Sequence, residues 1–474
     1  MIQEKCPYVE KCGACHMGQT TYEEELIAKK ELVESHIGKY CRNIHDVAGM
    51  YYPFHYRNKV HAVFGRLKDE VIAGTYSEGT HTIVPIDNCL IEDAQASAII
   101  KTVTELVKSF KIWIYNEDTG RGVLRHVLVR KGMSTKQIMV VLVTACPEFP
   151  HKNNFVAELR KRHPEITTIV QNINEANTTM VLGERNKPLY GEGYIEDVLC
   201  GLRFRISPNS FYQVNSAQTQ VLYKKAIQAA GLTGKETVVD AYCGIGTIGM
   251  AMASKAGKVL GIELNRDAVK DAKANAKRNN LNNIHFVAAD ATEYLTSMAQ
   301  EGAKADVVVM DPPRSGSTEE FIQAVAQLAP ERVVYVSCNP ETLGRDLESF
   351  KKVKYRAVEA WPVDMFGWTN HVETVVLLSK GIIDSQKVKV EMSLEDMDMS
   401  GFKKGATYEA IKDYVKEQTG YKVSSLYIAQ VKAKHGLDMR ENFNLPKSED
   451  ARQPKCPAEK EKAIEDALRH FQMI

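Results

Sequence analysis

Apolar and polar positions follow two different rhythms along this chain, and the change falls near residue 211. From about residue 56 to 200, short β-rich runs are separated by turns: "VHAVFG", "VIAGTY", "VLRHVLVR", "QIMVVLVT", "ITTIVQNIN" and "LRFRIS". Runs of this length and composition, bounded by turn residues, predict strands. One helical pattern over 93–110 interrupts them, so the region is predicted to be a mixed α+β domain. Ahead of it, "TYEEELIAKKELVESHIGKY" (21–40) has the period of an amphipathic helix. Beyond residue 211 a helical stretch, "NSAQTQVLYKKAIQAAGL", leads into "TVVDAY". The apolar runs "KVLGIEL", "IHFVAAD", "ADVVVMD", "RVVYVSC", "YRAVEAWPV" and "VETVVLLS" then alternate with helical segments. Apolar strands between helices predict a mostly parallel, doubly wound, Rossmann-like α/β sheet. Past Lys380 a polar linker opens a tail with two amphipathic patterns, "TYEAIKDYVKEQTG" and "SSLYIAQVKAKHG", and a last helix, "AEKEKAIEDALRHFQM". Three segments follow from this: 1–205, 206–382 and a linker with helical extension over 383–474. No internal repeat is visible.

The chain has 474 residues and a formal net charge of +1, so any nucleic-acid surface has to be local rather than a global basic excess. The N-terminus "MIQEKCPYVEKCGACHMG" lacks the apolar core of a signal peptide, and no apolar run is long enough to span a bilayer. A cytoplasmic monomer with no membrane partner is expected. Its ten cysteines are then not a disulfide framework, because that compartment keeps thiols reduced.

"VVDAYCGIGTIGM" places Gly244, Gly246 and Gly249 after a strand and at the start of a helix. Glycines there allow a tight turn and a close ligand approach, for either a dinucleotide or S-adenosylmethionine. Glu263, 19 positions beyond Gly244, ends the next strand, where a carboxylate can bind ribose hydroxyls. Asp290 and Asp311 end the third and fourth strands, and carboxyl ends of parallel strands line the ligand crevice. "DPPR" at Asp311–Arg314 makes a stiff loop there, suited to hold a planar base beside a methyl donor. Methylases of exocyclic amines usually carry an aromatic after such a motif. Arg314 stands here instead, which points away from an amino group as target.

Cys338 ends the strand after that loop, and the helix beginning near Pro340 is expected to lower its pKa. C5 of uracil is a poor nucleophile. Thiolate addition at C6 makes an enolate that can attack a methyl sulfonium, after which a base must remove the C5 proton. His371 and Glu373, two apart and so predicted on one strand face, could each serve. A nicotinamide or flavin oxidoreductase would use the glycine loop but leaves Asp-Pro-Pro and Cys338 without a role. A non-catalytic Fe–S RNA-binding protein would need neither nucleophile nor base.

"FYQVN" (211–215), "DAYCGIGTIG", "GIELN", "DPPR", "SCNPETLGRDL" and "HVETVVLL" occur in the order of the RNA uracil-5-methyltransferases, and the chain resembles that family over about residues 1–380. It is most similar to the 23S ribosomal RNA (uracil-5-)-methyltransferases of the RumA type. The resemblance implies an S-adenosylmethionine-dependent methyltransferase fold over 206–382. It implies Cys338 as nucleophile and Glu373 as base, with a cofactor site including Gln213, Tyr242, Thr247, Glu263, Asp290 and Asp311. The implied substrate is RNA, 23S rRNA ahead of tRNA. Two departures stand out. Gly367–Trp368 replaces a common Pro-His, and the chain is expected to lack the N-terminal TRAM β-barrel that many relatives carry.

Cys6, Cys12 and Cys15 form C-x5-C-x2-C, a spacing that invites a metal and needs a fourth ligand. The resemblance implies a [4Fe–4S] cluster with Cys89 as the fourth thiol and Cys41 as the competitor, although thiolate ligation alone also suits zinc. The cluster would be structural, making 1–205 an Fe–S, RNA-binding domain. "FHYRNKVHAVFGRLK" (54–68) and "GRGVLRHVLVRKG" (120–132) interleave Arg57, Lys59, Arg66, Lys68, Arg121, Arg125, His126, Arg130 and Lys131 with Phe54, Tyr56 and Phe64. Such mixtures suit phosphate contacts and base stacking, with Phe211 placed to stack on the target base.

Overall fold

The computed structural model describes residues 6–68, 70–178, 180–380, 408–435 and 456–470. They fall into two compact units, Met1–Met397 and Asp398–Ile474. The polar linker predicted after Lys380 lies outside the described residues.

The first unit begins with α1 (Val9–Cys12), α2 (Tyr22–Ile37), β1 (Lys59–Leu67), β2 (Glu70–Tyr76), β3 (Ile83–Pro85), α3 (Ala94–Ser109), β4 (Leu124–Lys131) and β5 (Ile138–Thr144). It continues with α4 (Lys152–Arg162), β6 (Ile166–Ile173), β7 (Arg185–Tyr190), β8 (Ile195–Leu199) and β9 (Leu202–Ile206). Strands β1 to β7 make one sheet in the order β3-β2-β1-β4-β5-β6-β7, and β8 and β9 form a separate hairpin. Among these pairs only β5 with β6 is parallel; the short helix α4 makes the crossover.

The second half runs α5 (Ser216–Ala230), β10 (Thr237–Ala241), α6 (Thr247–Ala253), β11 (Lys258–Glu263), α7 (Arg266–Arg278), β12 (Ile284–Ala288), α8 (Ala291–Gln300) and β13 (Val307–Met310). Then come α9 (Glu319–Leu328), β14 (Arg332–Ser337), α10 (Pro340–Lys352), β15 (Tyr355–Val363) and β16 (Glu373–Lys380). The sheet order is β12-β11-β10-β13-β14-β16-β15. Five strands are parallel, while β16 inserts antiparallel between β14 and β15. The order reverses between β10 and β13, the switch point where doubly wound sheets open a ligand crevice.

One apolar cluster joins the two sheets: Met139, Val141 and Val143 of β5 pack in the same body as Val307, Val309, Val334 and Val336. The other face of the second sheet is covered by α8, α9 and α10 and also by α2, whose Val33 and Ile37 join Leu343, Leu347 and Phe350. The contact is close. A Cβ at Gly344 of α10 would stand 2.7 Å from the His36 carbonyl oxygen. Helix α2 starts cleanly because Thr21 and Glu24 form a capping box, with the Glu24 amide donating to Thr21 Oγ1 (3.2 Å) and the Thr21 amide donating to Glu24 Oε2 (2.8 Å).

The second unit contains α11 (Tyr408–Thr419), α12 (Ser425–Lys434) and α13 (Ala458–His470), held by a small core that includes Ile411, Val415, Ile428, Val431, Ile464 and Leu468. Among the described residues no helix is long and apolar enough to cross a membrane.

Candidate active site

The glycine loop follows β10 directly. Tyr242 takes a left-handed conformation (φ 61°), and Gly244 and Gly246 follow at 55° and 82°. At Gly246 a Cβ would also meet the Phe286 ring at 2.6 Å, so glycine is needed there twice over. At Gly244 a Cβ would meet nothing within 4 Å, which leaves open space over the loop for a ligand. The Gly249 amide donates to buried Asp240 (2.8 Å), locking the turn into α6. Glu263 braces the loop from β11: Oε2 accepts from the Gly244 amide (3.0 Å) and Oε1 from the Asn265 amide (2.8 Å). Thr247 opens α6 and bonds the Tyr223 hydroxyl (2.6 Å). Asp290 is exposed and caps α8, accepting from the Thr292 and Glu293 amides. Gln213 is buried just ahead of α5. Its carbonyl accepts from Asn58 (3.1 Å), whose side chain also reaches Ser216 (2.9 Å), so the first sheet pins the "FYQVN" segment. Gln213, Tyr242, Thr247, Glu263, Asp290 and Asp311 could together hold a cofactor along these strand ends.

Cys338 and Glu373 meet through strand register. The antiparallel pair β14·β16 ends at Ser337↔Thr374. Cys338 and Glu373 each stand one residue beyond that end, and the Glu373 charge is close enough to raise the Cys338 thiol. Glu373 is 4% exposed and its Oε2 has no hydrogen-bond partner. Burial, reinforced by the charge of Asp311, drives its carboxyl well above the usual carboxylate range, against the opposing pull of Arg314. Burial likewise raises Asp311. His371 lies outside β16 and is exposed, so the expectation that both residues share one strand face does not hold; the strand begins only at Glu373.

A second expectation is corrected at Cys338. Its thiol is pushed up to about 11 by burial, Glu373 and Asp311, with Arg314 pulling the other way. Burial and two carboxylates thus outweigh the lowering expected from the α10 N-terminus, which Asn339 caps by accepting from the Glu341 amide (3.0 Å).

Helix α10 also holds the Asp-Pro-Pro-Arg loop, a role that its sequence did not reveal. Thr342 donates to the Arg314 carbonyl (3.3 Å), and Arg345 donates to the carbonyls of Ser315 (2.8 Å) and Ser317 (3.1 Å). Buried Asp346 accepts from the Ser317 amide (2.7 Å) and the Tyr335 hydroxyl (2.6 Å). "SCNPETLGRDL" thus carries the thiol and the clamp for the neighbouring loop in one segment.

The loop between β15 and Glu373 is held by a buried ion network that sequence reading missed. Lys29 of α2 donates to Glu25 and to Asp364, both at 2.6 Å, and to the Phe366 carbonyl (3.1 Å). Tyr22 donates to Asp364 (2.5 Å), and Glu25 accepts from the Trp368 amide (2.7 Å). Trp368 adopts a left-handed conformation (φ 67°), and its indole donates to the Pro53 carbonyl (2.9 Å). The Gly367–Trp368 departure is therefore built into the scaffold. Lys29, the eighth residue of α2, gave no such signal, because its Glu25 partner at i−4 resembles an ordinary surface pair.

The Trp368 carbonyl accepts from the His16 amide (2.9 Å), next to Cys15. Cys6, Cys15 and Cys89 pack in one cluster with Trp368, Tyr22 and Tyr56. The thiols of Cys12, Cys15 and Cys89 are all raised by burial; Cys6 adds to the rise at Cys12 and Cys15, and Cys15 adds to it at Cys89. Cys41 lies elsewhere, buried beside Val33 and Ile37. Among the described residues, no group of three or more His, Cys, Asp or Glu side chains is arranged to hold a metal ion.

Part of the expected basic and aromatic RNA surface is interior. Tyr56, Phe64, Arg125, His126 and Arg130 are buried: Tyr56 packs in the cluster with Trp368, Phe64 in the cluster on one face of β1, and β4 has apolar clusters on both faces. Arg130 spends its guanidinium on the Ser210 carbonyl (2.9 Å), and Lys131 pairs with Asp93 (2.7 Å). Arg57, Lys59 and Phe54 are half-buried, whereas Arg66, Lys68, Arg121 and Phe211 are exposed.

The profile of the tRNA (Uracil-5-)-methyltransferase family matches residues 184–381. An uncharacterized RNA methyltransferase of Halalkalibacterium halodurans is 41% identical over 381 residues, 80% of this chain and 83% of that protein. Another, from Caldanaerobacter subterraneus subsp. tengcongensis, is 42% identical over 382 residues, covering 80% and 84%. Among solved structures, the tRNA (uracil-54, C5)-methyltransferase of Pyrococcus abyssi in complex with S-adenosyl-L-homocysteine superposes with a TM-score of 0.64. It shares 27% identity over 79% of this chain and 87% of that one.

Proposed function

Since the chain belongs to the RNA uracil-5-methyltransferase family and is an S-adenosylmethionine-dependent RNA methyltransferase, we propose that it methylates C5 of a uridine in 23S rRNA, as the RumA-type enzymes do. The observation that carries the mechanism is that Glu373, buried and with Oε2 unpartnered, stands at the end of the β14·β16 ladder close enough for its charge to act on Cys338. S-adenosylmethionine supplies a methyl group on an electrophilic sulfonium. The Cys338 thiolate adds to C6, and its electron pair passes through the ring to make an enolate nucleophilic at C5. After C5 takes the methyl group, Glu373 removes the C5 proton. The electrons released restore the C5–C6 double bond and expel the thiolate. Arg314 favours the ionised form of both groups, so it supports the thiolate at the start and the carboxylate before proton removal.

Gln213, Tyr242, Thr247, Glu263, Asp290 and Asp311 are assigned to the cofactor. The open space above Gly244 and the C-terminal strand ends support that fit. Cys6, Cys12, Cys15 and Cys89 are assigned as ligands of a structural [4Fe–4S] cluster. The gathering of Cys6, Cys15 and Cys89 around Trp368, with Cys12 near enough to feel the Cys6 charge, supports the set and favours Cys89 over Cys41. In this reading 1–205 contacts RNA, 206–382 transfers the methyl group, 383–474 is an extension, and the enzyme acts as a cytoplasmic monomer.

Mass-spectrometric mapping of 5-methyluridine in rRNA and tRNA from cells with and without the protein tests the target. Loss of one 23S rRNA site is expected, and loss confined to tRNA overturns the rRNA assignment. Cys338→Ala abolishes activity, and Glu373→Gln accumulates a denaturation-resistant RNA adduct; an active Cys338→Ala enzyme sinks the covalent route. Anaerobically purified protein should hold iron and sulfide, and stoichiometric zinc without iron would replace the cluster assignment.

A further inference from the structure

Glu373 is buried at the start of β16, and among the described residues its Oε2 has no hydrogen-bond partner. No hydrogen bond to that oxygen fixes the carboxylate, so its aim depends on the backbone that carries it. On one side that backbone belongs to the sheet: Val363 pairs with Glu373 in β15·β16, and Ser337 with Thr374 in β14·β16. On the other side is the loop 364–372. We propose that Thr369 is the positioning residue that fixes this side and so aims Glu373 at the C5 proton. The proposal rests on the methyl transfer to uracil C5 set out above.

Thr369 is 9% exposed, and its hydroxyl is used twice. It donates to the Phe366 carbonyl (2.7 Å) and accepts from the amide of His371 (3.2 Å), two residues ahead of the base. The Thr369 amide donates to the same Phe366 carbonyl (3.2 Å). That carbonyl is a fixed point, because Lys29 reaches it from α2 (3.1 Å) while also holding Asp364 at the start of the loop (2.6 Å). A continuous chain of bonds thus runs from the buried ammonium through Phe366 and Thr369 to the His371 amide. Val372, between His371 and Glu373, packs in the apolar cluster with Val376 and Leu378 of β16. Burying a hydroxyl is unfavourable unless it is hydrogen-bonded, and here its donor and an acceptor position both go to closing the turn before the base.

The consequence is geometric. A general base must come within about 2.6–3.2 Å of the atom whose proton it takes. A displacement of about 1 Å can lower a rate on the order of 100-fold. Thr369→Val keeps the branched shape and removes both hydroxyl bonds. Lys29 and the residue-369 amide still hold the Phe366 carbonyl, so the start of the loop stays fastened. The part set free is the stretch from His371 to Glu373. Methyl transfer precedes proton removal, so the defect falls on the later step. The C5 proton stays in place, the C5–C6 double bond is not restored, and the methylated base remains bonded to Cys338.

The test is a single-turnover experiment with the full chain. RNA from cells that lack the protein and were grown on 5-tritiated uracil is mixed with S-adenosylmethionine carrying a radiocarbon methyl group. Methyl incorporation and tritium release to water are followed together, and the RNA–protein adduct is read on a denaturing gel. In the wild type the two labels should keep pace. In Thr369→Val, tritium release should lag methyl incorporation at least about tenfold and the adduct should accumulate. Thr369→Ser, which keeps the hydroxyl, should restore the wild-type timing. A merely structural role lowers the active fraction and slows both labels equally. Equal slowing, no lag, or a Thr369→Ser enzyme as delayed as Thr369→Val overturns the assignment. Methyl incorporation by the wild type without tritium release overturns the C5 reaction, and the role of Thr369 with it, a result distinct from each of these.

Discussion

Replacing Lys29 with methionine should cost far more than a helix-surface substitution, because its ammonium neutralises two carboxylates that cannot reach water. Lys29, Glu25 and Asp364 are 2%, 4% and 0% exposed, and both ion pairs are 2.6 Å long. Methionine fills much of the volume but leaves two buried carboxyl groups uncompensated. Breaking a buried pair by removing one partner costs about 3–5 kcal/mol. Urea unfolding reports this directly, because all three tryptophans, Trp113, Trp361 and Trp368, lie in the first unit and Trp368 touches the network. The pH dependence identifies the cause. Glu25 is already raised by burial even with Lys29 present, and removal of the ammonium raises it further. A carboxyl whose folded pKa exceeds its unfolded value binds protons preferentially in the folded state between the two. The variant should therefore regain stability as pH falls from about 8 to about 5, and Lys29→Met with Glu25→Gln and Asp364→Asn should recover most of the loss at pH 8. A loss below about 1 kcal/mol at pH 8, or one that does not shrink on acidification, would refute the reasoning.

Three other outcomes follow from the site. Single-turnover methyl transfer should fall steeply as pH drops through the raised Glu373 pKa and keep rising above it, because the Cys338 thiol ionises only near 11; a flat profile from about pH 6 to 9 contradicts both ionisations. Gly249→Ala puts a Cβ 2.7 Å from Asp240 Oδ2 and should weaken S-adenosylmethionine binding at least about tenfold by calorimetry, the loop having to shift. Asp346→Ala strands the Tyr335 hydroxyl and the Ser317 amide and should cost about 2–4 kcal/mol in urea unfolding while lowering turnover through the freed Asp-Pro-Pro loop; unchanged turnover would mean that the loop holds itself.

The sequence by itself determined the elements with strong periodicity and singled out the candidate residues for the chemistry. Apolar strands such as "VVVM" and "RVVYV" announce a buried parallel sheet because every position on them must be apolar. Glycine, proline and cysteine at strand ends are legible because each is there for a local reason. The same local logic missed β7, "RNKPLY", an edge strand with no fully buried residue and a proline at an irregular step of its pairing with β6, and it missed β3 and β8, which are too short to show a period. Tertiary structure decided everything that depends on what lies across a gap in sequence. It placed Arg125 and Arg130 indoors, since charge on a strand is visible in sequence but a second covered face is not. It brought Glu25 and Lys29 against Asp364, about 335 residues away, turning an ordinary helix pair into a buried network under the loop that leads to Glu373. It also reversed the expected effect on Cys338: burial, with the carboxylates of Glu373 and Asp311 brought close by the fold, raises the thiol where the helix start alone predicts a lowering.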